Sequence, residues 1–393
     1  MQFIEVKDKA TWRLFHRVPH IVYQNDDNWI CPLESDIEAV FDPEKNKTFQ
    51  HGEAKLWVLL NDRDEPIGRI AAFIDHKRNE ELEHQMGGIG YFESIDDQEV
   101  AFALFRQAEE YLKSKGIQGV DGPVNFGERD KFWGLLVKNF GPPIFMENYH
   151  PRYYRAFFED WGFQPYEQVL TMKGALDEVP VDRFGALARR MKERYPYRVE
   201  SIDLNNLDQI SVHFAEVYNA AFTHFPYFKP LEPALIKEAL KQLRPIATNE
   251  MGCVAFHEDQ PVGIAGLHPD INPFLKHAKG KLSWWKIPRF LYNLKFQHPR
   301  SLKGIIFGVH PDFQGKGVFA LLIDHLAHAS NDFNLRQHKH LILCTIRGHN
   351  QIMVNTMFKL GVKPDRVHYA YRKMLEPGLE VHPLDFIDDS SVE

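Results

Sequence analysis

Residues 55–75 read as an apolar strand, a polar turn from Asn61 to Pro66 and a second apolar strand from Ile67 to Ile74. The same plan returns over 252–268, with strands from Cys253 to Phe256 and from Val262 to Leu267 around a turn from His257 to Pro261. Identity follows pattern: Asp64-Glu-Pro-Ile-Gly68 matches Asp259-Gln-Pro-Val-Gly263, 195 residues further on. Downstream, Phe102-Ala-Leu-Phe105 and Phe319-Ala-Leu-Leu322 each open a helical period, 217 residues apart. Phe158-Glu-Asp-Trp-Gly-Phe163 answers Met357-Phe-Lys-Leu-Gly-Val362 at an offset of 199. Three matches in one order and at nearly one spacing imply two copies of a single α/β module. The expected division is a degenerate first copy over 1–175, a joining segment over 176–200 and a second copy over 201–393.

The drift in offset locates the insertions. Its rise from 195 to 217 assigns about 22 extra residues to the second copy, within 269–303. Its return to 199 assigns a comparable excess to the first copy, within 121–150. Insertions on a repeated scaffold are where copies diverge in function.

Composition changes this picture little. The 393 residues are 44% hydrophobic and 26% charged, which excludes wholesale disorder, and the length exceeds what one core usually supports. Cys31, Cys253 and Cys344 lie far apart, so neither a disulfide framework nor a cysteine zinc site is expected, and no metal is. Neither a secretory signal nor a bilayer-spanning run is legible, which leads to the expectation of a cytoplasmic protein, at most peripheral on the inner membrane surface. The net charge of −7 supplies no global field for nucleic acid.

The strongest local chemistry lies in Gly304-Ile-Ile-Phe-Gly-Val-His-Pro-Asp-Phe-Gln-Gly-Lys-Gly-Val-Phe-Ala-Leu-Leu-Ile323, where an apolar strand ends at Val309 and a helix follows Gly317. Gly315 and Gly317 let the backbone take unusual dihedrals and approach a ligand closely. Free N–H groups at the start of the helix, with Lys316 beside them, make an anion site suited to phosphate or pyrophosphate. The first copy has Phe92-Glu-Ser-Ile-Asp-Asp-Gln-Glu99 at the corresponding place, without glycine and with four carboxylates. It is expected to bind no pyrophosphate and to serve as a partner or as a wall of the acceptor site.

Here the chain resembles the GNAT superfamily of acyl-CoA-dependent N-acyltransferases. Gln314, Gly317 and the helix behind them match its pyrophosphate motif, Gln/Arg-x-x-Gly-x-Gly/Ala. Phe319 departs from it, standing where a small residue is usual. The resemblance implies a tandem pair of GNAT modules, each a mixed, mostly antiparallel sheet flanked by helices. It implies acetyl-CoA or another acyl-CoA as cosubstrate, held by the Phe307–Val309 backbone, Gln314, Gly315, Lys316, Gly317, Val318, Phe319 and Asn350. Gly122-Pro-Val-Asn-Phe126, Gly134-Leu-Leu136, Tyr149-His-Pro-Arg-Tyr-Tyr154 and the Trp29…Pro32 segment resemble, more closely, a bacterial double-GNAT family that includes bacterial ceramide synthases. That resemblance implies an amine acceptor, with a sphingoid amine among the candidates.

Amide formation from a thioester needs an unprotonated amine and a route for protonating the thiolate. His268 and Asp270, just past the second hairpin, are the candidates for the base. Met357 stands where GNAT proteins often carry a tyrosine acid, leaving Tyr371 or Tyr369 as replacements by residue type, or water.

Between Asp270 and Asp312 there is no acidic residue and there are eight Lys or Arg. Within that stretch Trp284, Ile287, Leu291 and Leu294 follow helical spacing, beside Lys286 and Arg289. Tryptophan next to lysine on an amphipathic helix suits a membrane interface, so 276–303 is a candidate peripheral membrane contact; a helix packed on its own domain fits the same pattern. A nucleic-acid patch ranks below both, and no nucleic-acid partner is expected. Three functions remain open: acyl transfer to an amine, a lipidic one included; acetylation of a polar molecule or protein N-terminus; and a non-catalytic acyl-CoA sensor or scaffold.

Overall fold

The computed structural model describes residues 1–128, 131–223, 230–297, 299–332 and 338–392. The first half runs β1 (Gln2–Glu5), α1 (Lys9–Val22), α2 (Glu34–Val40), β2 (Gly52–Leu60), β3 (Pro66–Asp75), α3 (His76–Asn79), β4 (Met86–Ser94), α4 (Gln98–Ser114), β5 (Gly119–Gly122), β6 (Leu135–Lys138), α5 (Tyr154–Asp160) and β7 (Gln164–Ala175). The chain continues through α6 (Val181–Arg194), β8 (Tyr197–Ser201), α7 (Leu207–Phe222), α8 (Pro233–Leu243), β9 (Gly252–His257) and β10 (Gln260–Pro269). It ends with α9 (Asn272–Leu275), α10 (Ile287–Phe296), β11 (Ser301–Val309), α11 (Val318–Asp332), β12 (His340–Arg347), α12 (Gln351–Leu360) and β13 (Lys363–Met374).

Among the described residues the strands form one mixed sheet with the path β1-β2-β3-β4-β5-β13-β7-β12-β11-β10-β9-β8 and β6 alongside β13. Helices cover both faces, as an α/β architecture requires. Alternation along the strands sorts the side chains. Leu59, Ile70, Phe92, Leu302 and Leu341 join α4, α5, α11 and α12 in a core that runs through both halves. On the opposite face, Phe15 and Val18 of α1 pack on Val58, Ala71 and Phe73. Ile210, Phe214 and Leu240 of α7 and α8 pack there on Val254 and Ile264.

The repeat is visible in hydrogen bonding. Ile95 N–H bonds to Ile67 O at 3.1 Å, and His310 N–H bonds to Val262 O at 2.9 Å. Each half has a parallel strand pair, β4 with β5 and β11 with β12, that remains paired only over its first few residues.

The order at the centre differs from two complete modules laid side by side. The last strand of the second half, β13, pairs antiparallel with β5 of the first. The last strand of the first half, β7, pairs antiparallel with β12 of the second. The two exchanged strands pair with each other from Lys363↔Lys173 to Arg372↔Gln164. Residues 176–200 carry a short 3-10 turn, α6 and most of β8, with α6 packed on α11.

Candidate active site

β11 and β12 pair from Ser301↔His340 to Gly304↔Leu343 and then separate. A register shift beside Gly266/Leu267 leaves Ile305 unpaired with β10, and Thr345 on β12 takes φ 55°. Both irregularities lie where the strands part, which opens a wedge between them. Antiparallel bonding alternates in direction along a strand. Because His310 N–H faces Val262, the amides of Phe307 and Val309 point the other way, toward the wedge.

The chain leaves β11 through a 3-10 turn, Pro311–Phe313, and enters α11 at Val318. Gly315 and Gly317 have φ of 74° and 82°, the left-handed region that favours glycine. Open space surrounds Gly315, whereas a Cβ on Gly317 would lie 2.7 Å from Met191 Cγ of α6. The first bond into α11 runs from Leu321 N–H to Gly317 O, so the amides of Val318, Phe319 and Ala320 find no acceptor among the described residues. Three free donors at a helix N-terminus beside the exposed Lys316 fit a pyrophosphate. Gln314 is exposed, its Nε2 donating to Val309 O at 3.3 Å. Phe319 turns its half-buried ring toward Phe184 and Phe307, with centroids 6.1 and 6.0 Å away. Asn350 caps α12, accepting from Met353 N–H at 3.1 Å.

In the first half Asp97 caps α4 with its own carboxylate, accepting from the amides of Glu99 and Val100. Aligned on Phe102 and Phe319, α4 begins almost one turn earlier than α11, over the place of 315–317. The first copy therefore satisfies internally the donors that the second leaves free.

His268 stands opposite Lys303 in the β10–β11 pair, on the sheet face covered by α7 and α8. It is buried, and its Nδ1 lies 2.7 Å from Pro269 O. A carbonyl only accepts, so Nδ1 carries the proton and Nε2 keeps a lone pair with no hydrogen-bond partner among the described residues. Burial pushes its pKa down to about 4, aided by the Lys303 charge. Asp270 is engaged differently, accepting from Phe145 and Asn272 N–H at 3.2 Å each. No hydrogen bond joins it to His268. Burial raises its pKa. With Lys303 Nζ donating to Phe145 O and Asn272 Nδ2 to Pro143 O, it binds a first-half segment against the second-half site. The sequence offered the first copy as a wall but did not point to this segment, 143–147. Cys344 lies at the strand separation, its thiol pushed up to about 12 by burial.

Tyr371 is not brought to this site. Strand exchange carries it into the first half, opposite Gly122, where its hydroxyl donates to Glu159 at 3.0 Å and burial raises its pKa. Tyr369 goes with it and donates to Asp389. Met357 is core.

The 269–303 insertion docks on the first half: Glu34 N–H bonds to Gly280 O, Lys276 to Asp27 O, and Lys281 pairs with Glu34 at 3.1 Å. Phe290 and Leu282 pack on Ile30 and Leu275. The other side of the segment is open, with Trp284 82%, Trp285 62%, Tyr292 59% and Phe296 59% exposed. No described helix is long and apolar enough to cross a membrane.

No protein-family model matches the chain. It is 26% identical over 386 residues to a protein named bacterial ceramide synthase from Caulobacter vibrioides, covering 95% of this chain and 98% of that one. It is also 26% identical over 375 residues to Protein YghO of Escherichia coli, covering 94% of each. Among solved structures, a tandem GNAT protein from the clavulanic acid biosynthesis pathway superposes with a TM-score of 0.55 at 11% identity, over 96% of this chain and 99% of that one. Repeat, wedge and superposition agree: the chain has the tandem GNAT fold, and it is similar over nearly its full length to both relatives.

Proposed function

We propose that the second half takes an acyl-CoA and transfers its acyl group to an amine. The observation that carries this reading is the row of unsatisfied donors: Phe307 and Val309 N–H along the wedge, then Val318 to Ala320 N–H at its end. The α11 donors hold the pyrophosphate. The wedge donors polarise the thioester carbonyl and stabilise the oxyanion formed on attack, preorganised and partly shielded from water. His268 Nε2, unprotonated at neutral pH, accepts the amine proton, and the departing thiolate is protonated by water.

The acceptor is a long-chain amine met at a membrane surface. Support comes from the exposed tryptophans near the exposed Arg289, in a stretch without acidic residues, and from similarity to the Caulobacter relative named bacterial ceramide synthase. Gly317→Asp places a carboxylate among the α11 donors and forces strain at φ 82°. Calorimetry is expected to show loss of CoA binding in that variant, and unchanged affinity would refute the loop assignment. Thiol release from palmitoyl-CoA with and without sphinganine then separates transfer from mere acyl-CoA binding.

A further inference from the structure

The segments Trp29…Pro32 and Tyr149–Tyr154 lie outside the CoA site proposed above, and they meet around one cavity in the first half. Trp29 to Pro32 form one wall and Tyr149 with His150 another, around a cavity of about 50 Å³ that opens to solvent. Arg69 and Glu93 lie between these walls. They stand opposite each other on β3 and β4, on the face covered by α1.

The second copy shows what this strand pair holds without the charges. Equivalent positions, set by the Ile95–Ile67 and His310–Val262 bonds, are Ile264 and Gly308, likewise opposite each other. The first copy therefore buries a guanidinium and a carboxylate where the fold accepts an isoleucine and a glycine. An apolar pair costs less than a buried ionic one unless the ionic pair is well satisfied. This one is not. Arg69 Nη1 donates to Phe15 O at 3.1 Å, but its contact with Glu93 Oε1 is 3.5 Å, and its Nε is buried without a partner among the described residues. Glu93 Oε2 accepts from Tyr23 and Tyr154 at 2.8 Å each, leaving Oε1 with only the long guanidinium contact. One donor and one acceptor are thus in place for something else.

We propose that this cavity is a second ligand site, taking a primary ammonium group with a neighbouring hydroxyl or carbonyl oxygen. The ammonium donates to Glu93 Oε1, and the neighbouring oxygen accepts from Arg69 Nε. Ile30, Ile37 and Phe132 offer apolar surface to the rest of the ligand. His16 and His150, both pushed down to about 3 by burial, line the cavity as neutral rings and do not repel a cation. The site lies on the same sheet face as His268. The segment whose Phe145 is bound to Asp270 and Lys303 continues into Glu147 to His150 of this cavity wall, so occupancy here bears on the wall of the other site. Calling the ligand an acceptor amine rests on the acyl-transfer reading; the binding itself does not.

The test is calorimetry without CoA, titrating 2-aminooctane-1,3-diol into the full chain, with octane-1,3-diol and octylamine as controls. The wild type is expected to bind the amino diol at one site, at least about tenfold more tightly than either control. Glu93→Gln, which can still accept from both tyrosines, is expected to lose at least about tenfold for the amino diol and nothing for CoA. Gly317→Asp is expected to leave amino diol binding unchanged. Equal affinity for the three compounds, equal binding by Glu93→Gln, loss in Gly317→Asp, or no binding below micelle formation would each overturn the proposal. The comparison of compounds uses only wild-type protein and stands even if Glu93→Gln fails to fold. Failure of the wild type to bind CoA at all would sink the transfer reading and leave this result untouched.

Discussion

His150 offers a quantitative check on the buried polar interior of the first half. Its Nδ1 accepts the Leu136 amide at 3.2 Å, it is 5% exposed, and burial pushes its pKa down to about 3, with the nearby His368 second. An unfolded-state histidine titrates near 6.5. The unfolded chain therefore binds the proton first as pH falls, and stability is lost below 6.5 until the folded ring also protonates near 3. At pH 5 the loss from this one ring is about 2 kcal/mol relative to pH 7.5. His150→Asn keeps an acceptor for the Leu136 amide but cannot titrate. Urea unfolding at pH 7.5, 6 and 5, followed by tryptophan fluorescence, should show the wild type losing about 2 kcal/mol against the variant across that range. A difference that stays constant with pH would refute the assignment of a neutral, buried His150.

Glu147 accepts from Thr171, Ile144 N–H and Arg366, and these partners hold its carboxyl low against the opposing effect of burial. Glu147→Gln leaves the Arg366 charge buried with a weakened partner, and a loss of about 3–5 kcal/mol in denaturant unfolding is expected. His268→Ala should lower turnover by roughly 10²–10⁴ with CoA affinity unchanged; unaltered turnover would remove it as the base. Replacing Trp284 and Trp285 by serine should release the protein from vesicles containing anionic phospholipid in flotation, while the melting temperature stays within a degree or so of wild type because both rings are exposed. Flotation equal to wild type would argue against the membrane face.

The doubling of the fold was legible because paired hairpins, capped helices and a Leu-Gly or Trp-Gly helix end are local patterns, and local patterns survive in sequence. The glycine turn that leads into α11 was legible for the same reason. Which strand lies beside which was not. β7 and β13 each run 12 residues with a buried middle, a pattern that does not report the neighbouring strand. Exchanging them leaves the pattern intact while moving Tyr371 to Gly122 and away from His268. The first-half cavity did leave a trace: Arg69 and Glu93 interrupt otherwise apolar strands, and a charge in such a strand asks for a partner. Asp270 was singled out by its position, but its bond to Phe145 depends on a segment more than a hundred residues earlier in the chain.

Strand exchange also sets the order of events during synthesis. When β7 leaves the ribosome, the sheet of the first half still lacks the strand that covers β5, and β7 lacks β12. Roughly 200 further residues, on the order of ten to forty seconds of translation, separate β7 from the end of β13. During that interval two strand edges destined for the middle of the sheet stand open to pairing with other chains. The nascent protein must be guarded through the synthesis of its second half, and a chain stopped before Lys363 leaves both halves incomplete, not one half finished and one missing.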